Sequence, residues 1–529
     1  MASTKRVKRV FVFILFSALL VPPFSSAWKL DDTPILLQLL QNLSRVDVIV
    51  YLEPAVDLPY SDYQSPDDRK AILDEKIRKG LALQGGILSE FQPGEFTLRR
   101  KSITGRWFSG STNMSGISRL ANVSAVKAVY PNRRLSPLID VAGSLIGADY
   151  ARNLNITGQS QRICLIDSGV DYSHPSLGGC RKIGDGCRIV GGYDLLLNDS
   201  DPDDTAGHGT EVAGIVTSTD SQHLGMATGA GIVAIKVFNE TISPALDDIA
   251  YAIEMCYVEY DAKIISMSLG DYRHYTTETC PKEITETVND AVGYGEFIVA
   301  SSGNQGYLGG ISYPSCEPNV TSVGAVYTSN WGVVHSLAGN CTDNDTAADK
   351  MTCFTNRGQE LDILAPGSEV ITTQAGGNFI KVRGTSVAAP FVAAAAAVLG
   401  QANPSLTSDQ ITYILLKSGK QIYDKETRHV FPRLDLTRAV KMANQASFIT
   451  VLNNHSISMK VTSIETSAYF ISGIHPTSFL LAPNHSKTFM VVFDRDDTIR
   501  GGTYSAYLTL HTENPSQEEK ITVTYRKSS

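Results

Sequence analysis

The sequence has no surplus of positive charge. Its 46 lysines and arginines stand against 54 aspartates and glutamates, a net charge of −8. That balance excludes a chain built to neutralise nucleic-acid phosphates, which needs a basic face. Cysteine is scarce, with 8 in 529 residues, and none stands in a C-x-x-C pair, so a zinc site of that spacing is excluded. Repeats and low-complexity tracts are missing, which excludes solenoids and collagen-like arrays. Beyond the first 27 residues no stretch reaches transmembrane length. The apolar run 387–399 contains Pro390 and reads as a buried helix. The end, Arg526-Lys527-Ser528-Ser529, is polar, so no GPI-type tail is expected.

What is present begins with a processing signal. Lys5, Arg6, Lys8 and Arg9 precede an apolar run at 10–21, and Ser25-Ser26-Ala27 follow. This is the n-region, h-region and cleavage site of a secretory signal peptide spanning 1–27. The alternative, an N-terminal membrane anchor, needs a longer run. Secretion turns the cysteines into disulfide candidates. All lie between Cys164 and Cys353. Cys180 and Cys187 flank one short polar loop, Cys341 and Cys353 another. Cys164 falls in an expected central strand and Cys256 in an expected helix, so both read as buried small hydrophobes rather than halves of a bridge. That leaves Cys280 with Cys316, although sequence alone does not fix the connectivity. Glycosylation triplets begin at Asn42, Asn113, Asn122, Asn155, Asn198, Asn239, Asn319, Asn340, Asn344, Asn454 and Asn484. Their spread fits a eukaryotic secretory route.

The length predicts about three domains at roughly 100–200 residues each. Residues 28–134 show a strand at 46–52, a helix from Asp67, an alternating hairpin at 95–109, a short helix at 114–120 and a strand at 126–130. This β-α-β-β-α-β order predicts a small ferredoxin-like α/β sandwich, with Arg133-Arg134 as an exposed processing point at its end. An independent binding domain is the alternative. Residues 135–445 alternate apolar strands at 162–166, 232–237, 263–267 and 297–300 with helices at 208–218, 245–260 and 284–294. Strands apolar on both faces predict a doubly wound α/β layer with a parallel sheet. Residues 446–529 change to alternating strands, at 457–461, 487–493, 504–510 and 521–525, without a helix pattern. They predict a small immunoglobulin-like β-sandwich.

Four short segments carry chemistry. Ile166-Asp167-Ser168-Gly169 puts a carboxylate at the end of an apolar strand, where sites in open α/β sheets gather. Gly207-His208-Gly209-Thr210 leads an uncrowded imidazole into a helix of small residues. Ala300-Ser301-Ser302-Gly303-Asn304-Gln305-Gly306 holds an amide on a Gly-rich turn, able to donate to a developing oxyanion. Gly384-Thr385-Ser386-Val387-Ala388-Ala389-Pro390 opens an Ala-rich helix with a serine. Each alone has an ordinary reading as a turn Asp, a structural His, a turn Asn or an N-cap Ser. Together they stand in the order Asp, His, Asn, Ser at strand ends and helix starts of one layer.

These residues and spacings resemble the subtilisin-like serine protease family from Asp167 to about residue 443, and 28–134 resembles that family's inhibitory propeptide. The resemblance implies a secreted serine endopeptidase acting through an acyl-enzyme and made as an autoinhibited zymogen. Asp167 would orient His208, His208 would take the proton of Ser386, and Asn304 with the backbone N–H of Ser386 would form the oxyanion hole. It also implies a cleft with Ser268, Leu269 and Gly270 on one wall and Ser301, Ser302 and Gly303 on the other. Gln305 would be a neutral rim residue. Ser312 replaces a common floor glycine and makes the primary pocket shallower, which favours an uncharged, medium-sized apolar residue. Asp271, in place of a family glycine, would favour a basic residue upstream. Implied partners are protein or peptide substrates and the chain's own propeptide. Nucleic acid, a membrane after signal removal, cofactor and metal are not implied, and the protein is expected to be a monomer. Some positions depart from the family. Val387 replaces a frequent Met and Glu211 a common His. Ser176 replaces a calcium-binding Asp, so that site is not carried over. Asp199, Asp201, Asp203 and Asp204 read as a solvated loop rather than a calcium site. Two rival functions remain: a silent relative acting as a binding protein, and a peptide ligase or exopeptidase using the same chemistry.

Overall fold

The structure, a computed structural model, describes residues 44–54, 66–132, 136–137, 145–184, 186–336 and 339–453, and then 458–466, 468, 471–482, 485–493, 502–513 and 518–527. The expected signal peptide 1–27, Arg133-Arg134, and Asn42, Asn454 and Asn484 lie outside the described residues.

The first unit runs β1 (Val46–Leu52), α1 (Pro66–Ser89), β2 (Phe96–Lys101), β3 (Trp107–Thr112), α2 (Met114–Asn122) and β4 (Val126–Pro131). Its strands form an antiparallel sheet in the order β2-β3-β1-β4, the arrangement of a ferredoxin-like sandwich. Alternation along β1 splits the sheet into two buried faces. Val48, Val50 and Leu52 pack with Ile117 and Leu120 of α2. Ile49 and Tyr51, with Trp107 and Tyr130, belong instead to the core of the next unit. The first unit is thus apolar on both sides because its second side has a partner.

The second unit contains β5 (Ser136–Pro137), α3 (Ala148–Asn153), β6 (Arg162–Asp167), β7 (Ile189–Asp194), α4 (His208–Thr217), β8 (Gly231–Lys236), α5 (Leu246–Val258), β9 (Ile264–Met267), β10 (Leu269–Gly270), α6 (Thr285–Tyr294) and β11 (Phe297–Ser301). It continues with β12 (Thr321–Tyr327), β13 (Val334–Ser336), β14 (Cys341–Asp343), β15 (Ile363–Gln374), β16 (Asn378–Arg383), α7 (Thr385–Ala402), α8 (Ser408–Ser418), β17 (Lys420–Tyr423), β18 (Val430–Arg433) and α9 (Leu436–Gln445). One ten-stranded sheet carries it, in the order β17-β18-β15-β12-β11-β9-β6-β8-β7, with β16 beside β15. Strands β7 to β18 pair in parallel along this path. Ile163 and Leu165 of β6 enter the core shared with α4 and α7, while Cys164 and Ile166 enter the core shared with α5 and α6. This is the doubly wound layer expected, and α7 is the buried helix read from the 387–399 run.

The disulfides correct one expectation. Cys180–Cys187, Cys280–Cys316 and Cys341–Cys353 are bridged as read, but Cys164 is also bridged, to Cys256. Both of these residues are fully buried, where strand β6 meets helix α5. A buried thiol and a buried disulfide look alike in a hydrophobic pattern.

The third unit holds β19 (Ala446–Leu452), β20 (Met459–Thr466), β21 (Ile471–His475), β22 (Phe479–Leu481), β23 (Ser486–Phe493), β24 (Gly502–Thr512) and β25 (Glu518–Lys527). They form two antiparallel sheets, β19-β23-β21 and β22-β20-β24-β25. Val461, Phe489, Val491, Leu508 and Leu510 share the core between them, making the expected β-sandwich. Met490 and Val492, on the other face of β23, join the core of the second unit.

Candidate active site

Strand β6 ends in Asp167, whose Oδ1 accepts the N–H of Ser168 at 2.7 Å. His208 is the first residue of α4, and its Nδ1 lies 2.7 Å from the same Oδ1. A proton on Nδ1, donated to Asp167, leaves Nε2 as the acceptor. The close approach of the two segments requires Gly209. A Cβ there would fall 2.0 Å from the carbonyl oxygen of Gly169. Asp204 fixes the start of α4. It accepts the N–H of Gly207 and both the N–H and hydroxyl of Thr210, and it takes the hydroxyl of Ser168. Asp204 is therefore a buried helix cap and not part of a solvated loop. Burial opposes the imidazolium of His208, but the Asp167 carboxylate, its hydrogen bond and the charges of Glu211 and Asp204 outweigh it and push His208 up to about 9.

Ser386 is the second residue of α7, and α4 packs against α7. The Oγ of Ser386, the Nε2 of His208 and the Nδ2 of Asn304 are all buried and without a hydrogen-bond partner among the described residues. The carbonyl of Ser386 has an unusual partner. Position 390 is proline, which has no N–H to close the helical bond back to residue 386. The hydroxyl of Ser268 donates to that carbonyl instead. The structure thus places Ser268 beneath the serine, with its side chain committed there.

Asn304 is held by the residue before Ser386. Its Oδ1 accepts the backbone N–H of Thr385 at 2.8 Å and the Thr385 hydroxyl at 2.9 Å, leaving Nδ2 as the unpaired end. Gly303 has φ +107, and a Cβ there would lie 2.2 Å from Asn356 Nδ2 and 2.3 Å from Ser312 Oγ. Only glycine fits this turn. Ser301 and Ser302, before it, are buried, with hydroxyls unpartnered among the described residues. Ser312 donates to the carbonyl of Arg273 at 3.1 Å. Gln305 is half-buried, and its Oε1 accepts from Asn356 Nδ2 at 2.9 Å. Asp271 is also committed, accepting the Tyr275 hydroxyl at 2.7 Å and the Tyr313 N–H at 3.3 Å. Asn356 escaped the sequence reading. It lies in an irregular stretch between Phe354 and Gly358, and nothing in its neighbours marks it as buried.

The first unit meets the second through charge, and the strand that follows it, β5, meets it through backbone. Strand β5 pairs antiparallel with β10, Pro137 opposite Leu269 and Ser136 opposite Gly270. Arg99 pairs with Asp247 and Asp248, and Arg100 with Asp248. Arg106 pairs with Asp290 and Lys127 with Glu286. The buried carboxylate of Glu254 accepts from the hydroxyls of Ser102 and Thr104, the N–H of Ile103 and the indole N–H of Trp107. Helices α5 and α6 thus present acids to a basic sheet face.

The sequence profile of the subtilase family matches residues 158–435. A thermophilic serine proteinase of Bacillus sp. strain AK1 is 32% identical over 295 residues, covering 55% of this chain and 64% of that protein. Serine protease AprX of Bacillus subtilis strain 168 is 30% identical over 349 residues, 59% of this chain and 74% of that protein. Subtilisin E of the same strain is 32% identical over 274 residues, 51% of this chain and 62% of that protein. The chain spans less than two thirds of the length of the first and third of these.

Proposed function

The chain belongs to the subtilase family, and on that premise we propose that it is a secreted serine endopeptidase made as an autoinhibited zymogen. One observation carries the reading: His208 is bonded to Asp167 at 2.7 Å while its Nε2, the Ser386 hydroxyl and Nδ2 of Asn304 are buried and without a partner among the described residues. Buried polar groups normally find partners, so such orphans mark where a reacting group goes.

In this mechanism Ser386 Oγ attacks the scissile carbonyl carbon and its proton passes to Nε2 of His208. Asp167 keeps the imidazole in the tautomer that can accept it and stabilises the imidazolium. The negative charge on the former carbonyl oxygen is met by Asn304 Nδ2 and the N–H of Ser386 at the start of α7. His208 returns the proton to the leaving amine as the C–N bond breaks. Water, activated the same way, then hydrolyses the ester on Ser386 and restores the hydroxyl.

Residues 28–134 act as inhibitor and folding aid, supported by the charges on α5 and α6 that they pair with, and the stretch that follows them, β5 at Ser136–Pro137, lies along β10 as their tail. An extended segment added to a strand of the cleft is how a peptide substrate would bind. The leader-like residues 1–27 and four disulfides support a secretory route. The test is a fluorophosphonate probe and a defined peptide. Processed protein should be labelled at Ser386, the Ser386→Ala variant should not, and the peptide should be cut internally. Absence of both labelling and cleavage overturns the proposal. Stepwise loss of terminal residues would make the enzyme an exopeptidase instead.

A further inference from the structure

Asn356 is fully buried and touches no element of the charge-relay system, yet its amide uses all four of its hydrogen-bonding positions. Its Oδ1 accepts the backbone N–H of Gln305 at 2.9 Å and of Tyr307 at 3.1 Å. Its Nδ2 donates to Gln305 Oε1 at 2.9 Å and to Ser312 Oγ at 3.2 Å. Its own backbone N–H donates to the carbonyl of Gly303 at 3.0 Å. Residues 303, 305 and 307 are thus tied to one residue, 303 through its backbone and 305 and 307 through its side chain, and residue 304 lies between the first two of these anchors. The second face of the same turn is held by Thr385, which accepts the N–H of Gly303 and donates to Asn304 Oδ1.

We propose that Asn356 is a positioning residue for the Asn304 amide, and that it sets the floor of the primary pocket through Ser312. The proposal rests on the endopeptidase reading given above. Nδ2 of Asn304 is useful only if it points at the oxyanion without having to reorganise as charge develops. Thr385 fixes the oxygen end of that amide. Asn356 fixes the backbone that carries it. It acts through Gly303, whose carbonyl takes its backbone N–H, and through Ser312, whose Oγ takes its amide. Alanine at 356 leaves the N–H groups of Gln305 and Tyr307 without an acceptor and takes from Ser312 Oγ the donor that holds it, leaving that hydroxyl its bond to the Arg273 carbonyl.

The test is a double-mutant cycle on processed enzyme, with kcat and KM measured separately. Asn356→Ala should lower kcat by about tenfold to a hundredfold, the cost of a small misplacement of a catalytic group, with a smaller change in KM. In an Asn304→Ala background the same substitution should lower kcat by less than about threefold, because the group it positions is gone. Asn356→Asp, which keeps the acceptors for Gln305 and Tyr307, should recover part of the loss. It also serves in the same cycle should the alanine variant not fold. Equal losses in both backgrounds, or no loss in kcat, overturn the proposal. An unmutated enzyme that cuts no peptide overturns the endopeptidase reading instead, so the two failures are distinct.

Discussion

The hydroxyl of Ser268 donates to the backbone carbonyl of Ser386, the acceptor that Pro390 leaves open in the first turns of α7. A side chain between β9 and β10 thus completes a helix bond and ties those strands to the start of α7. Proline at 390 does more than punctuate the sequence: it makes the carbonyl available.

This relationship predicts a compensating pair. Ser268→Ala leaves a buried carbonyl unsatisfied, at a cost of about 1–3 kcal/mol. Adding Pro390→Ala supplies the missing helical N–H and should recover most of that loss. Denaturant midpoints of the two variants, made in a Ser386→Ala background that cannot digest itself, measure both effects. If the double variant is less stable than Ser268→Ala alone, the carbonyl is not the point of contact that matters.

The pair Asp167–His208 predicts a pH dependence. An unperturbed imidazole titrates near ~6.5. In the intact chain Asp167 holds His208 up at about 9 against the opposing effect of burial. Because the folded value is the higher one, the pair stabilises the fold below ~6.5 and the contribution is lost as pH rises through about 9. Only the neutral ring, which becomes the minor form as pH falls below that value, can accept the Ser386 proton. NMR titration of the intact Ser386→Ala chain should find His208 changing charge well above the ordinary value, and Asp167→Asn should bring it down. A ring that titrates at or below ~6.5 in the unaltered pair would falsify this assignment.

Much of the site was legible because the chemistry sits where sequence patterns change. Asp167 ends a run of apolar residues, His208 and Ser386 begin runs of small ones, and Asn304 follows a strand with glycine on its N-terminal side. The second-unit sheet was legible for the same reason, since strands covered on both faces are apolar throughout. What stayed hidden depends on distance in sequence. Cys164 and Cys256 are 92 residues apart, and only the packing of α5 on β6 brings them together. Asn356 gains its role from segments at 303–307 and 312, and Asp204 from the turn after Asp167. Strands β19, β21 and β22 went unread, being short or weakly alternating, with neighbours that decide their burial.

The basic face of the first unit predicts inhibition that responds to salt and to removal of charge. Asp247 and Asp248 have almost no exposed side-chain surface, and Arg99 and Arg100 are their partners. Removing one partner of a buried pair strands the other, typically for 2 kcal/mol or more. Residues 28–134 added in trans should inhibit processed enzyme, and Arg99→Ala with Arg100→Ala should weaken that inhibition by at least about 30-fold. The remaining rim contacts, such as Lys127 with Glu286, should make the inhibition constant rise with ionic strength. A segment whose inhibition ignores both changes is held by its apolar face alone.

The direction of β5 bears on where the chain is cut. As β5 runs from Ser136 to Pro137, its antiparallel partner β10 is met from Gly270 to Leu269, that is, toward Ser268 and hence toward Ser386. A tail bound as a product ends at the nucleophile. The last described pair of the ladder sets Pro137 opposite Leu269, one residue short of Ser268, so a cut made by this site falls C-terminal to Pro137. The dibasic pair Arg133-Arg134 lies upstream of β5, where cleavage would leave β5 attached to the mature enzyme instead of to the inhibitor. N-terminal sequencing of self-processed protein should therefore give a first residue within 138–142, and Arg133→Gln with Arg134→Gln should process normally. The Ser386→Ala chain should remain uncut. A mature N-terminus at Leu135, lost when the arginines are replaced, would assign the cut to a separate basic-specific protease and leave β5 outside the inhibitor.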